Sequence, residues 1–311
     1  MMNNVTVKFF QKDGSVFSFS RCVNFLFKKE FYTPFSVCSG TFILPENSSF
    51  NGENSVRTEF FLDGKILHSG LTEKVKVNRE KGNLLVFSSR SHTLLLGQNE
   101  PEPKINSDVN LENLISDNIS CPYIEWERDT AKVNYIYVNE HSTIWDALNN
   151  YCLKAYGTRP YIRESNKVYA RPCSFQADFS GRILTRTFFE KNDELILSDI
   201  FMADLNGEYT FHKSCDKAKE VGIERKKYIS LDRQWLSDSE TGLSGMLDFS
   251  LRKNLVKGFA YNGFSGEDIC DTVTNSGTVC DGMKINAVTV KGDKSGIFTT
   301  ISCYDDPYGQ K

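Results

Sequence analysis

The groups in this chain that could do chemistry are four histidines, nine cysteines and a few adjacent carboxylates. A helical zinc site needs two histidines one turn apart, as in His-Glu-x-x-His, so that both imidazoles face one ion. His68, His92, His141 and His212 are each more than ten residues from the next. No Cys-x-x-Cys occurs among Cys22, Cys38, Cys121, Cys152, Cys173, Cys215, Cys270, Cys280 and Cys303. These spacings read as turn or surface histidines and reduced, mostly buried thiols. A Cys270–Cys280 disulfide across a loop is the alternative, and the rarity of disulfides in a reducing compartment weighs against it.

Other reactive patterns are equally thin. Neither phosphate-binding glycine motif, Gly-x-x-x-x-Gly-Lys-Ser/Thr or Gly-x-Gly-x-x-Gly, is present. Gly242-Leu243-Ser244-Gly245 approaches the Gly-x-Ser-x-Gly turn of serine hydrolases but is one residue short. Its neighbours predict a helix start, so it reads as N-cap chemistry. Asp193-Glu194, Glu267-Asp268 and Asp305-Asp306 could cleave glycosides only if folding set two carboxylates across a cleft; a solvated loop is the plainer reading. Trp126 or Trp235 could form a sugar platform, whereas Trp145 lies beside an apolar helical stripe and reads as packing. Lys28-Lys29 and Arg225-Lys226-Lys227 read as lysines guarding exposed strand edges, with nucleic-acid contact as a second reading. No catalytic, cofactor-binding or metal site is predicted.

The elements that would have to position such groups are mostly strands. Alternating segments at 5–9 and 15–19 flank a Lys12-Asp13-Gly14 turn, and strands follow at 22–27 and 38–44. After a polar loop at 45–54, the stretch 60–91 reads as strand, Asp63-Gly64 turn, two strands, Lys81-Gly82-Asn83 turn, strand. Segment 1–98 is thus predicted to be a small barrel or sandwich of about seven strands. Residues 97–107, with two prolines and two glutamates, read as a linker.

Segment 104–173 is mixed. Leu111, Leu114, Ile115 and Ile119 predict a helix capped by Asp108. Thr143 and Asp146 form a capping box ahead of the stripe Ile144, Ala147, Leu148, Tyr151, Cys152 and Ala155, and Gly157 ends that helix. A strand pair brackets Ser165-Asn166. Segment 174–308 is again strand-rich, with an inserted helix at about 236–256 carrying Leu243, Met246, Leu247, Leu251 and Leu255. A closing hairpin spans 283–304, and residues 250–280 read as polar loops. The succession of strand-rich, mixed and strand-rich segments hints at a long-range repeat.

Bulk properties narrow the classes. With 311 residues, 40% hydrophobic and 13% aromatic content, two or three packed domains are expected. A net charge of −3 argues against a protein that coats nucleic acid. The N-terminal residues lack a basic-then-apolar leader, and no apolar run is long enough to span a bilayer as a helix.

Particular residues carry a resemblance. FFLDGKILHSG (60–70), NLLVFSSRSHTLLL (83–96), the STIWDALNNYCLKAYG helix (142–157), the strand pair before Arg171-Pro172 and the closing GMKINAVTVKGDKSGIFTTISCYD (282–305) follow one another as in the baseplate hub proteins of contractile phage tails and phage-tail-like bacteriocins, the late-control gene D group. The chain resembles that family over nearly its whole length, and departs from it at 250–280. The resemblance implies an α+β, mainly β fold with two tail-tube-like antiparallel β-barrel domains and small α/β modules. It implies a non-enzymatic homotrimer that adapts a six-fold tail tube to a three-fold spike. The implied partners are the tail tube protein, the spike protein, other baseplate proteins and the tape measure, without specific nucleic-acid binding or membrane insertion. The implied location is the baseplate of a virion or tail-like particle assembled in the bacterial cytoplasm. A spike or hydrolase would then be a separate polypeptide. A tail-tip cell-wall hydrolase and a carbohydrate-binding β module are the competing readings.

Overall fold

The structure of the protein, a computed structural model, describes residues 5–80 and 82–304. Lys81 of the expected 81–83 turn, the Asp305-Asp306 pair and the end of the 174–308 segment lie outside the described residues. The fold is mainly β, with large antiparallel sheets.

The first seven strands are β1 (Val5–Gln11), β2 (Val16–Phe19), β3 (Cys22–Glu30), β4 (Val37–Ile43), β5 (Ser55–Leu62), β6 (Lys65–Asn78) and β7 (Leu84–Ser91). Strict alternation in β1 and β4 buries one face and leaves the other half-covered, as period-2 patterning requires. Asp63 and Gly64 both take positive φ, 49° and 75°, the geometry of a two-residue hairpin turn. Where the sequence predicts two strands after that turn, the structure has one. β6 runs unbroken for 14 residues, with a bulge between Thr72 and Lys74. Residues 65–71 of β6 pair with β5, and residues 70–78 pair with β7, so the strand crosses from one layer to the other. Gly70 stands at the crossover, where a Cβ would collide with the Arg90 carbonyl.

Phenylalanines fill the space between these layers. Phe9 meets Phe50 at 5.2 Å and Phe87 at 5.5 Å, and Phe25 meets Phe60 at 4.9 Å. His68 is fully buried among them, with Nδ1 2.9 Å from Ser36 Oγ and Nε2 2.9 Å from Ser89 Oγ. Burial, reinforced by nearby His92 and Lys29, lowers its pKa to about 3, so the ring is neutral.

The middle of the chain builds a second core. It comprises β8 (Ile105–Val109), α1 (Leu111–Ser116), β9 (Glu125–Trp126), β10 (Val133–Tyr137), α2 (Ile144–Tyr156), β11 (Tyr161–Arg163) and β12 (Lys167–Tyr169). The capping box is present at Thr143 and Asp146, and Gly157 ends α2 at φ 61°. The cap of α1 is Asn110, whose side chain accepts from Asn113 N at 2.8 Å. The expected cap, Asp108, instead has φ 50° within β8 and cannot present its carboxylate to the helix. Leu111, Leu114, Ile136, Leu148 and Tyr151 pack together at this core's centre.

The remainder comprises β13 (Gln176–Asp178), β14 (Leu184–Lys191), β15 (Asp199–Met202), β16 (Phe211–Ser214), α3 (Asp216–Glu220), β17 (Lys226–Ile229), α4 (Ser239–Leu251), β18 (Leu255–Asn262), β19 (Thr272–Thr274), β20 (Ala287–Asp293) and β21 (Gly296–Tyr304). Two expectations fail here. The Gly242–Gly245 stretch lies inside α4, which Asp238 caps; Gly242 is required because the Trp235 ring presses on the helix there. Leu255 does not extend the helix. Lys253 takes φ 60°, ends the turn, and Leu255 opens β18, a strand inside the region read as polar loops.

Eleven strands form one sheet in the order β14-β18-β21-β20-β3-β4-β7-β6-β5-β1-β2, every neighbouring pair antiparallel. Strands from the last segment therefore continue the sheet begun by the first, through the β20–β3 ladder.

Gly70→Ala is expected to destabilise the chain by about 2–4 kcal/mol, measured by urea unfolding, because two backbones must separate at the crossover. The unfolded chain takes up a proton on His68 near pH 6.5 and the native chain does not, so stability falls as pH drops. By pH 5 the loss from this group is about 2 kcal/mol. His68→Gln should flatten the unfolding profile between pH 7.5 and pH 5.

Candidate assembly surfaces

Lys29, read from sequence as an edge guard, is in the centre of the sheet: β3 is paired on both sides. Its side chain is 3% exposed, and its ammonium donates to the Glu164 carbonyl at 2.6 Å and to Asp268 Oδ2 at 2.9 Å. The same Asp268 oxygen accepts from Glu164 N at 2.7 Å, holding Glu164 at φ 54°. Beside it Arg163 donates to Asp271 Oδ1 at 2.6 Å. Burial pulls the Lys29 pKa down and pushes the Asp271 pKa up, with the opposite charges resisting both shifts. One cluster thus ties β3, the β11–β12 hairpin and the 268–271 loop together.

The sheet contains a repeat of strand order. Its first four strands, β14-β18-β21-β20, and its next four, β3-β4-β7-β6, have the same arrangement. In each set the first two strands in sequence lie side by side, and a hairpin follows with its later strand inside: β20–β21 in one set and β6–β7 in the other. The end of one set (β20) meets the start of the other (β3) in a six-pair antiparallel ladder. The corresponding outer ends are open. Among the described residues, β14 pairs only with β18, and residues 72–78 of β6 pair only with β7. At the β14 end, Ile183 is 88% and Phe189 77% exposed, far more than a covered strand would allow.

The groups that could do chemistry fall far apart. His68 is in the first core, and His92 stacks on Tyr123 at 4.4 Å. His141 lies 3.8 Å from Glu100, and His212 Nε2 is 2.9 Å from Asp199. Cys270 and Cys280 have other neighbours than each other. The Cys173 thiol donates to the Cys270 carbonyl, and Cys280 is hydrogen-bonded to Cys303. A separate side-chain hydrogen bond with the Cys270 sulfur, not the carbonyl contact, lowers the Cys173 pKa to about 7. All nine cysteines are unpaired thiols. Trp145 and Trp235 are buried, and Trp126 packs on the middle core, so none of the three offers a flat exposed platform. Glu267 is buried against the Tyr261 hydroxyl, and Asp193 is held by Lys191 and Asn254. Among the described residues no group of three or more His, Cys, Asp or Glu side chains is placed to hold a metal ion.

No known family profile and no curated protein sequence matches the chain. Solved structures do. The tail protein from Neisseria meningitidis MC58 is 12% identical, with TM-score 0.70 over 99% of this chain and 98% of that one. The 43 kDa tail protein of prophage MuSo2 from Shewanella oneidensis is 11% identical, with TM-score 0.69 over 96% and 97%. A chain of the Francisella PdpA–VgrG complex is 8% identical, with TM-score 0.54, over 99% of this chain and 58% of that one. The protein shares the fold of these chains.

Removing one partner of the buried cluster leaves an uncompensated charge. Asp268→Asn or Lys29→Met is expected to cost about 3–5 kcal/mol in denaturant unfolding, and the Lys29→Met/Asp268→Leu pair clearly less than the sum of its singles.

Proposed function

We propose that this chain is a structural, non-enzymatic component of a contractile tail, acting as the hub that adapts a six-fold tail tube to a three-fold spike. The observation that carries the reading is the tandem four-strand set with one joint closed inside the chain and two matching ends open. The β20–β3 ladder is the template for the joint between copies. β14 of one copy would pair with residues 72–78 of β6 in the next. The two ends are separated by an even number of antiparallel strands, so this contact is antiparallel, like the internal one. Such a contact is head-to-tail and makes a ring where its rotation closes. Three copies contribute six similar strand sets, which gives a ring of three-fold symmetry that presents six near-equivalent positions.

The division into tube-like sets within 1–98 and 174–308, with an α+β module at 104–173, belongs to the same proposal. Likeness to tail proteins and to a chain in a VgrG complex supports it at the level of fold. The proposed partners are the tail tube protein on the six-fold side and the spike on the three-fold side, with other baseplate proteins and the tape measure beside them. The proposed site of action is the baseplate of a virion or tail-like particle assembled in the bacterial cytoplasm.

Light scattering after gel filtration should give three times the 35.4 kDa chain mass. The Ile183→Glu/Phe189→Glu double variant, carrying charge on the open edge, should weaken assembly at least about tenfold while unfolding at an unchanged temperature. A chain that stays monomeric with tube and spike proteins present, or a double variant that assembles like the parent, would overturn the proposal.

A further inference from the structure

The eight strands from β14 to β6 have one face packed on the core; among the described residues the other face is covered near Tyr304, which is buried against Tyr32, and is otherwise half-buried or exposed. On the packed face stand Phe259, Ile301, Val288, Phe27 and Phe87, all buried. On the other, the ladders align Arg186 of β14, Thr300 of β21, Thr289 of β20, Lys28 of β3 and Arg90 of β7 in one row. A second row on the same face runs from Lys291 of β20 through Ser39 and Ser88 to Lys74 of β6, and a third ends at Lys76. Lys28, Lys74, Lys76, Lys291 and Arg186 are exposed, and none makes an ion pair among the described residues. Arg90 is bonded to Glu73, and Glu30 on this face is bonded to Lys253. The acids left over are Glu190 and Asp293, both near strand ends, and Asp293 is engaged by the backbone of Ser295. The face therefore carries a surplus of positive charge in a chain whose formal net charge is −3.

We infer that this face contacts the phosphate backbone of duplex nucleic acid without reading its sequence. Strands about 4.8 Å apart spread the five free cations over a width of about 34 Å. Small hydroxyls, Ser39, Ser88, Thr289 and Thr300, lie between them. Widely spaced cations on a shallow surface, with no cleft to sort bases, suit sequence-independent phosphate contact. Beside Lys28 lies a shallow hollow of about 260 Å³, lined by Thr33, Phe35 and Thr289 among others. The inference rests on the sheet of one chain. In the proposed ring the same face is free to line the bore, but its binding is measured separately from ring closure.

The experiment uses the full chain and a short fluorescein-labelled DNA duplex, followed by anisotropy across a salt series. Binding is expected at low salt, with log affinity falling against log salt at a slope of about −2 to −4 for this number of cations. The K28Q/K74Q/K76Q/K291Q variant should bind at least about tenfold more weakly with a flatter slope. Lys12, Lys65, Lys219 and Lys227 lie elsewhere on the surface, and K12Q/K65Q/K219Q/K227Q should bind like the parent. Both variants should unfold at the parent temperature. The inference is overturned by absent binding at low salt, by equal losses in the two variants, or by polyglutamate binding where the duplex does not. That last result would assign the face to an acidic polypeptide. Loss of trimer without loss of duplex binding would strike the ring proposal alone.

Discussion

The chain depends on one buried cation. Removing a lysine ammonium from water is costly, and the cost is offset only when charge and hydrogen bonds around it are complete. Lys29 meets that requirement with a carboxylate from the 268–271 loop and a carbonyl from the β11–β12 hairpin, neither of which is near it in sequence. Three remote segments must therefore arrive together before the lysine is satisfied. Apolar packing alone tolerates small slides between modules, because it is non-directional. A buried ion pair with 2.6–2.9 Å contacts does not. The cluster fixes how the middle module sits against the sheet, and so holds the two four-strand sets in one register through the β20–β3 ladder.

That ladder makes the eight-strand array a single surface. The array is covered on one side by buried aromatics and aliphatics, with the middle module and α4 built on at other points. β6 belongs both to the β3-β4-β7-β6 set and to the strands beyond it, since its early half serves β5 and its later half serves β7. The strand's division of labour also creates the open end, because among the described residues the half that serves β7 has no strand partner on its other side. Gly70 makes the crossing possible by letting two backbones approach where any side chain would stand between them.

Local structure was legible where a residue type has one physical use. Asp63-Gly64 announces a turn because positive φ is needed there, and Thr143, Asp146 and Gly157 announce both ends of α2. The fold class followed from alternation, and the order of motifs pointed to the tail-protein fold. What could not be read was long-range. Nothing local marks β20 as the partner of β3, since a ladder joining residues 287–292 to residues 25–30 leaves no local pattern. β18 was hidden because Gly258 interrupts its apolar alternation, and that glycine is there so that Phe188 can lie across the strand. Lys28-Lys29 looked like a solvated pair, yet alternation sends neighbours to opposite faces, one to water and one into the ion cluster. The open edges were illegible for the same reason: an edge is defined by a strand that is missing, and sequence lists only the strands that exist.

If the proposed joint between copies repeats the inner β20–β3 ladder, a further consequence follows. A head-to-tail contact contains no instruction to stop. Closure depends on the angle accumulated from one strand set to the next, and the twist of a sheet varies by several degrees between neighbouring strands. If that angle misses an even division of the circle, the same contact advances along the axis and winds an open spiral instead of a collar. The rigid lysine cluster, by holding the angle inside each copy, would then act less as glue than as a protractor.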